Sequence, residues 1–238
     1  MRTKIALGGI DVEVVKKDIK NVHLSVYPPT GRVRIAAPSR MNLETIRVYA
    51  ISKLGWIKQQ QKKLLGQPRE TPREYLNRES HYVWGRRYLL QVVEVDASPT
   101  VELKHRKIVL QVRPGADEDK KQAVVDEWYR SELKRAVSSL IGKWEPLIGV
   151  KVERLFVQKM KTKWGSCNAR SRSIRINTEL AKKPPECLEY IVVHEMMHFL
   201  VRRHDAVFSD LMNRFLPNWR LTRQKLNAEP LAHTHWAY

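Results

Sequence analysis

The first forty residues alternate between apolar and polar side chains, which is the pattern of β-strands with one buried face. Leu24 and Val26 share one face of a strand, and Val33 and Ile35 share a face of the next. The segment between these two runs contains adjacent prolines and a glycine, a combination typical of a turn. The pattern therefore predicts a β-hairpin over residues 21–37.

From Asn42 onward the apolar residues recur at spacings of three and four. This period predicts an amphipathic helix that runs to about Leu64, with Asn42 as its N-cap. A polar connection with prolines occupies residues 67–79. Short runs rich in valine, leucine and tyrosine then predict a second β region over residues 81–112.

The rest of the chain mixes helices and strands. A long helical period covers residues 117–147, and strand patterns return over residues 150–178. A pair of prolines at residues 184–185 precedes another apolar stretch, as suits the first turn of a helix. We therefore expect an α+β fold with a β-rich N-terminal portion and one amphipathic helix over residues 1–115, followed by a second portion over residues 116–238.

Composition narrows the class of partner without naming one. The 238 residues include 44 Lys and Arg against 25 Asp and Glu, a formal net charge of +19. Such a surface attracts phosphates, nucleic acid or acidic partners, although a basic protein without such a partner has the same composition. Two cysteines cannot form a disulfide framework. The chain shows no signal-peptide pattern and no apolar stretch of membrane-spanning length, so we expect a cytoplasmic protein without membrane partners.

The segment His194-Glu195-Met196-Met197-His198 carries the clearest chemical signal. In a helix, residues four apart lie on one face, so the two imidazoles can bind one metal ion. Glu195 then lies within reach of a water on that ion. The four preceding residues are Tyr, Ile, Val and Val, which would bury the helix. The alternative is a surface helix that carries two histidines by chance.

A hydrolytic zinc site usually has three protein ligands, and His204 is the candidate for the third. On an unbroken helix His204 would point away from His198, so the chain must fold back, with Asp205 capping the next helix. The spacing equals that of the metzincin peptidases, in which a glycine occupies the position of Val201. His204 could instead be an exposed loop residue. A later glutamate is a weaker alternative ligand, because none occurs between His204 and Glu229.

The chain resembles a known family at a set of separate positions. The matching residues are Trp164-Gly165-Ser166-Cys167, Ile176-Asn177, Leu180, Tyr190 to Glu195, His198, His204 and Phe208. They resemble the YgjP-like metal-dependent hydrolases, which belong to the zincin metallopeptidases near the SprT and WLM groups. The resemblance covers roughly residues 150 to 220. It implies a zincin-like metallopeptidase domain, with one Zn²⁺ held by His194, His198 and His204 and with Glu195 as general base.

The segment Trp164-Gly165-Ser166-Cys167 and the adjacent Lys163 are candidates for the border of the substrate cleft. The alternative is a structural role, with a packed tryptophan and a glycine in a tight turn. The positive charge of Lys163 and its basic neighbours could hold an anionic substrate or simply face solvent.

The function expected from these features is a zinc-dependent hydrolase, and most directly a metallopeptidase that acts on peptides or proteins. One alternative is a nucleoside triphosphate (UTP-type) pyrophosphatase that uses the same centre on an anionic nucleotide. Another is a nucleic-acid-associated protein, with a DNA-stimulated protease or a structural zinc. Structural zinc sites usually have four ligands rich in cysteine, and neither cysteine lies near this helix in sequence.

Overall fold

The computed structural model describes residues 2–27, 30–65, 73–160 and 163–228. The described residues form two compact units, one within Met1–Glu70 and the other within Thr71–Glu229. The predicted turn prolines, Pro28 and Pro29, and part of the predicted connection lie outside the described residues. No helix in the described part of the chain is both long enough and apolar enough to cross a bilayer.

The first unit is built on a four-stranded sheet. Its strands are β1 (Arg2–Leu7), β2 (Ile10–Lys17), β3 (His23–Tyr27) and β4 (Arg32–Pro38), in the order β1-β2-β4-β3. The central pair, β2 and β4, is parallel, and each edge strand pairs antiparallel with its neighbour. The predicted hairpin corresponds to β3 and β4. Alternate residues such as Val12, Val33 and Ile35 are fully buried on one face of the sheet.

Two helices follow this sheet, α1 (Leu43–Ser52) and α2 (Leu54–Leu65), where the sequence predicted one. Asn42 is the N-cap of α1 as predicted, and its Oδ1 accepts a hydrogen bond from the Thr45 N–H. The break falls at Lys53, whose N–H donates to the carbonyl of Ala50, three residues back instead of the four of an α-helix. A glycine at position 55 further weakens the helix at this point.

The second unit begins with a sheet of the same strand order. Its strands are β5 (Ser80–Val83), β6 (Arg86–Glu94), β7 (Thr100–Lys104) and β8 (Lys107–Val112), in the order β5-β6-β8-β7. The central pair is again parallel, and the outer pairs are antiparallel. In both sheets, two antiparallel hairpins are therefore joined by parallel pairing between the second strands of the two hairpins.

Helix α3 (Glu118–Ile148) crosses the second unit. It begins at the N-cap Asp117, whose Oδ1 accepts from the Lys120 N–H, and ends at Gly149 in the left-handed conformation. The apolar period of the sequence places Val124, Trp128, Leu133, Val137 and Leu140 on the buried side of this helix. Leu133 and Val137 are buried, whereas Val124, Trp128 and Leu140 are only partly buried. The other buried positions are Val125, Tyr129, Trp144 and Ile148.

The remaining elements follow α3 along the chain, and most of them contact α4. They are β9 (Arg154–Gln158), β10 (Gly165–Asn168), β11 (Ser173–Asn177), a 3-10 helix (Thr178–Lys182), α4 (Pro185–Met197), α5 (Ala206–Phe215) and α6 (Trp219–Ala228). The three strands form a sheet in the order β10-β11-β9, so β10 is an edge strand. The predicted α+β class with a β-rich N-terminal portion is confirmed. The predicted domain boundary at residues 115–116 stays a prediction, since the compact units divide near residue 70.

Candidate metal centre

Helix α4 is buried along most of its length. Residues Tyr190 to Val193 and Glu195 to Met197 are buried, and α4 contacts α3, α5, α6 and two strands of the small sheet. The helix begins with Pro185, which needs no hydrogen-bond acceptor for its nitrogen. His194 and Glu195 therefore occupy the C-terminal part of a helix that is fixed by packing on several sides.

Helix α4 ends at His198, the second histidine of the motif. We expected the helix to end here, because His204 can approach His194 and His198 only if the chain folds back after His198. His198 is the C-cap, and the Leu200 and Val201 N–H groups both donate to the Met197 carbonyl in a tight turn. Asp205 then caps α5, because its Oδ1 accepts from the Phe208 N–H at 3.1 Å. The chain thus folds back between His198 and Asp205 without a glycine at the bend.

The turn brings three imidazole rings together. One ring nitrogen of each of His194, His198 and His204 lies within 4.8 Å of those of the other two. The Nε2 atoms of His194 and His204 are 3.0 Å apart. The Nδ1 atom of His198 lies 3.0 Å from the Val201 carbonyl oxygen, which can only accept, so Nδ1 carries the proton and Nε2 keeps its lone pair.

Phe208 packs against all three rings. Its ring centroid lies 5.0 Å from those of His194 and His198 and 4.7 Å from that of His204. Only 2% of Phe208 is exposed. The buried Nδ1 of His194 has no hydrogen-bond partner among the described residues, so packing against Phe208 and Tyr190 orients this ring. A rigid aromatic residue therefore holds the three imidazoles at their separation.

The surroundings of His194 and His204 favour the neutral form of these two imidazoles. Burial, followed by the neighbouring His198 and His204, lowers the pKa of His194 to about 3. The pKa of His204 is also lowered, mainly by burial and then by His198. Neutral imidazole is the form that binds a metal ion. Three convergent imidazole nitrogens fit Zn²⁺, whose tetrahedral nitrogen ligands lie about 3.3 Å apart at ordinary bond lengths.

Glu195 lies beside the rings and is 6% exposed. Burial raises the pKa of its carboxyl group to about 7, although the nearby Lys163 acts in the opposite direction. Strand β10 runs close to this carboxylate. A Cβ atom added to Gly165 would lie 2.7 Å from Glu195 Oε1 and 2.9 Å from Ile191 Cγ2. Glycine at position 165 is therefore what allows the strand to approach the helix.

The three histidines and Glu195 lie in a cleft with two cavities. One, of about 690 Å³, continues along β10 and the turn after it. The other, of about 640 Å³, continues towards the aromatic side chains of α4, α5 and α6. The residues that line both cavities are Lys163, Gly165, His194, Glu195 and His204. The cavities therefore meet at His194, His204 and Glu195, and His198 lines the first cavity only.

All five residues predicted to border the cleft do line it. Ser166 and Cys167 line the first cavity, Trp164 lines the second, and Lys163 and Gly165 line both. The Cys167 thiol stays protonated, because burial and then Glu195 raise its pKa to about 11. Sequence reasoning missed Arg202 and Arg223, which also line the cleft. Their sequence neighbours gave no signal that would distinguish them from other surface arginines.

The Asn177 side chain forms hydrogen bonds with the backbone segment that precedes β10, the strand that borders the cleft. Its Nδ2 donates to the carbonyls of Met160 and Lys163 at 2.9 and 2.8 Å. Its Oδ1 accepts from the N–H groups of Met160 and Glu179, and its own N–H donates to the Trp164 carbonyl. The buried amide therefore joins the segment before β10 to the end of β11. The sequence placed Asn177 in the family pattern without a role.

Comparison with known proteins gives the following matches. A family model described as YgjP-like, metallopeptidase domain, matches residues 20–229. The metallopeptidase zymogen of Pyrococcus abyssi abylysin is similar with a TM-score of 0.36 and 15% identity, over 38% of this chain and 90% of that chain. For the metallopeptidase zymogen of Methanocaldococcus jannaschii jannalysin the values are 0.33 and 20%, over 40% and 92%. No curated protein matches significantly.

Proposed function

The chain belongs to the YgjP-like family of metallopeptidase domains, and on that basis we propose that it is a zinc-dependent peptidase. His194, His198 and His204 hold the ion, and Glu195 is the general base. The observation that carries this proposal is the convergence of three imidazoles beside a buried carboxylate. When bound, Zn²⁺ would supply Lewis-acid activation of a water and of the substrate carbonyl.

Glu195 performs the proton transfers. One of its carboxylate oxygens accepts a proton from the attacking water and later delivers that proton to the leaving amide nitrogen. A pKa of about 7 suits both steps, because the carboxyl group can then gain and lose the proton near neutral pH. The burial that raises this pKa comes from α4 and β10, so packing of the helix tunes the base.

Strand β10 is suited to orienting the peptide. It pairs with β11 on one side only, so the backbone groups of its other edge have no strand partner in the described part of the chain. An extended peptide can pair with such an edge and thereby place one of its carbonyl groups beside Glu195. Antiparallel pairing is the commoner arrangement of neighbouring strands. Gly165 permits this edge to lie against the catalytic carboxylate.

The proposal is tested by separating metal binding from turnover. Glu195→Gln keeps the three imidazoles, so we expect full zinc content by metal analysis and a loss of peptide hydrolysis of at least about 10²-fold. His204→Ala removes one ligand, so zinc content and hydrolysis should both fall. The substrate panel contains denatured protein, peptides and nucleoside triphosphates.

Each result has a defined meaning. Peptide cleavage that persists in Glu195→Gln would remove Glu195 from the role of base. Full zinc content in His204→Ala would remove His204 from the ligand set. Release of pyrophosphate from nucleotides, with no cleavage of any peptide by the wild-type protein, would replace the peptidase proposal by the nucleotide alternative.

A further inference from the structure

The first cavity of the cleft is lined by cations. Arg170, Arg175 and Arg202 line it together with Lys163, and we call this part of the cleft the arginine arm. Among the residues that the structure describes, Glu195 is the one acidic residue that lines the same cavity, and it lies beside the histidines rather than in the arm. An anionic ligand in the arginine arm would therefore meet several positive charges.

The cationic side chains of the arginine arm form no ion pair with any carboxylate of the described residues. Within the described residues, no ion pair or side-chain hydrogen bond involves the side chains of Arg170, Arg202 or Lys163, which are all exposed. Arg175 is partly buried, and its guanidinium lies 5.2 Å from the ring centroid of Phe156. A contact with an aromatic face orients a guanidinium but leaves its charge in place. The arginine arm thus keeps its full positive charge for a ligand.

Arg170 and Arg202 are attached to turns of defined shape, and Arg175 lies in strand β11. Asn168 Oδ1 accepts hydrogen bonds from the backbone N–H groups of Arg170 and Ser171 at 3.1 and 3.2 Å, which fixes the turn between β10 and β11. Arg202 belongs to the turn that carries the chain from His198 to His204. Two separate segments therefore present charges to one cavity, and a ligand need not order either segment before it binds.

The position of the arm along β10 fixes which part of a peptide it meets. Gly165 lies against Glu195, whereas Asn168 and Arg170 lie towards the carboxyl end of the strand and beyond it. In an antiparallel pair, the carboxyl end of one strand faces the amino end of the other. Substrate residues before the cleaved bond would therefore lie in the arginine arm.

Resting on the proposed peptidase function, we propose that the arginine arm binds carboxylate side chains of the peptide substrate on the amino-terminal side of the cleaved bond. Aspartate or glutamate at these positions would form charge-assisted hydrogen bonds with the guanidinium groups. The net charge of +19 adds to the attraction by steering acidic chains towards the protein. The second cavity, lined by Trp164, Tyr190, Phe208 and Trp219, would receive the other side of the substrate.

The first test compares peptides that differ only in charge. Glutamates placed before the cleaved bond are changed to glutamine, and kcat/KM is measured with the zinc-loaded, full-length chain. We expect a loss of about tenfold at low salt, which shrinks in 0.5 M NaCl because exposed charges are screened. Glutamates placed after the cleaved bond should have little effect. Equal cleavage of the charged and neutral peptides would overturn the inference.

A pair of double variants tests the residues. Arg170→Gln with Arg202→Gln should reduce the ratio of kcat/KM for the glutamate peptide to that for the glutamine peptide from about tenfold to about twofold or less. Arg172→Gln with Arg203→Gln is the matched control, since it removes two charges from the same two turns at positions that do not line the cavity. If both double variants lose the preference equally, net charge and not the arginine arm is responsible, and the inference fails.

Two further measurements separate the remaining explanations. Amidation of the peptide's C-terminus should leave kcat/KM unchanged. If amidation lowers kcat/KM and the change from glutamate to glutamine does not, the ligand is the terminal carboxylate and the assignment to side chains is wrong.

Binding of a fluorescent glutamate peptide and its glutamine counterpart to Glu195→Gln is followed by anisotropy. Tighter binding of the glutamate peptide that depends on Arg170 and Arg202 supports the arm even if no peptide is cleaved, an outcome that would refute only the proposed function. Equal binding of both peptides refutes the arm.

Discussion

At Gly165, close packing of strand β10 against helix α4 limits where the Glu195 carboxylate can lie. A methyl group at this position would lie 2.7 Å from Glu195 Oε1 and 2.9 Å from both Glu195 Cγ and Ile191 Cγ2. In Gly165→Ala, the carboxylate must therefore move. Misplacement of a catalytic group by about 1 Å can cost about 10²-fold, so we expect kcat for peptide cleavage to fall by roughly 10- to 100-fold. Steady-state kinetics on the zinc-loaded variant measures this.

The matched control for Gly165→Ala is Gly142→Ala in helix α3. A Cβ at Gly142 would meet no atom within 4 Å, and alanine favours a helix over glycine by up to about 1 kcal/mol. This variant should keep full activity and equal or higher stability. Zinc content should be unchanged in both variants, since neither change touches a histidine. Wild-type kcat in Gly165→Ala would show that Glu195 tolerates displacement, and the argument for a fixed base would fail.

Asn177 carries a second prediction at the scale of single residues. Its buried side chain donates partly buried hydrogen bonds to the carbonyls of Met160 and Lys163. Asn177→Ala leaves these carbonyls without their donor, so the free energy of unfolding should fall by about 2–4 kcal/mol. Chemical denaturation measures the change. Asn168→Ala, in an exposed turn, should cost about 1 kcal/mol or less, and equal losses in the two variants would contradict the role given to Asn177.

Among the elements, the turn between β5 and β6 is fixed to the start of α4. The Trp84 and Gly85 N–H groups donate to the carbonyls of Ala181 and Lys182. Gly85 has a φ of +77°, and a Cβ there would lie 2.9 Å from Pro184 Cγ and 3.1 Å from the Pro184 backbone. The second sheet therefore supports the helix that carries His194, Glu195 and His198.

We predict that Gly85→Ala destabilises the second unit by more than its backbone conformation alone explains. Gly115 has a similar φ of +73° but open space around its Cβ position, so Gly115→Ala measures the backbone cost, about 1–2 kcal/mol. Contact with Pro184 should add a further 1–3 kcal/mol or so, by analogy with overpacking. Both values come from urea unfolding followed by tryptophan fluorescence. Equal losses in the two variants would mean that the turn yields without strain.

The elements were predictable wherever local chemistry decides them. The cap at Asn42, the strands around Leu24 and Ile35, and the helix break after His198 all follow from residue types and spacing. The break at Lys53 was not predicted, because the apolar period continues through it and the first unit's core accepts both Ile46 and Ile57. The positions of Arg202 and Arg223 in the cleft were also missed, since only the tertiary fold distinguishes Arg202 from its neighbour Arg203.

At the scale of the whole molecule, the chain uses one sheet topology twice. Both four-stranded sheets place the second and fourth strands together in parallel, although the sequence showed no repeat. Each sheet belongs to a separate compact unit with its own buried core. The three histidines and Glu195 belong entirely to the second unit.

This division predicts that metal binding stabilises the two units unequally. A ligand that binds only the folded state adds about 4 kcal/mol of stability at a concentration a thousand times its Kd. Since all three proposed ligands lie in the second unit, zinc should raise hydrogen-exchange protection in α4, β10 and β11, and leave β2 and β4 of the first unit unchanged. Exchange measured by mass spectrometry with and without zinc tests this. His204→Ala should abolish the effect, and equal protection of both sheets by zinc would show that the units do not unfold separately.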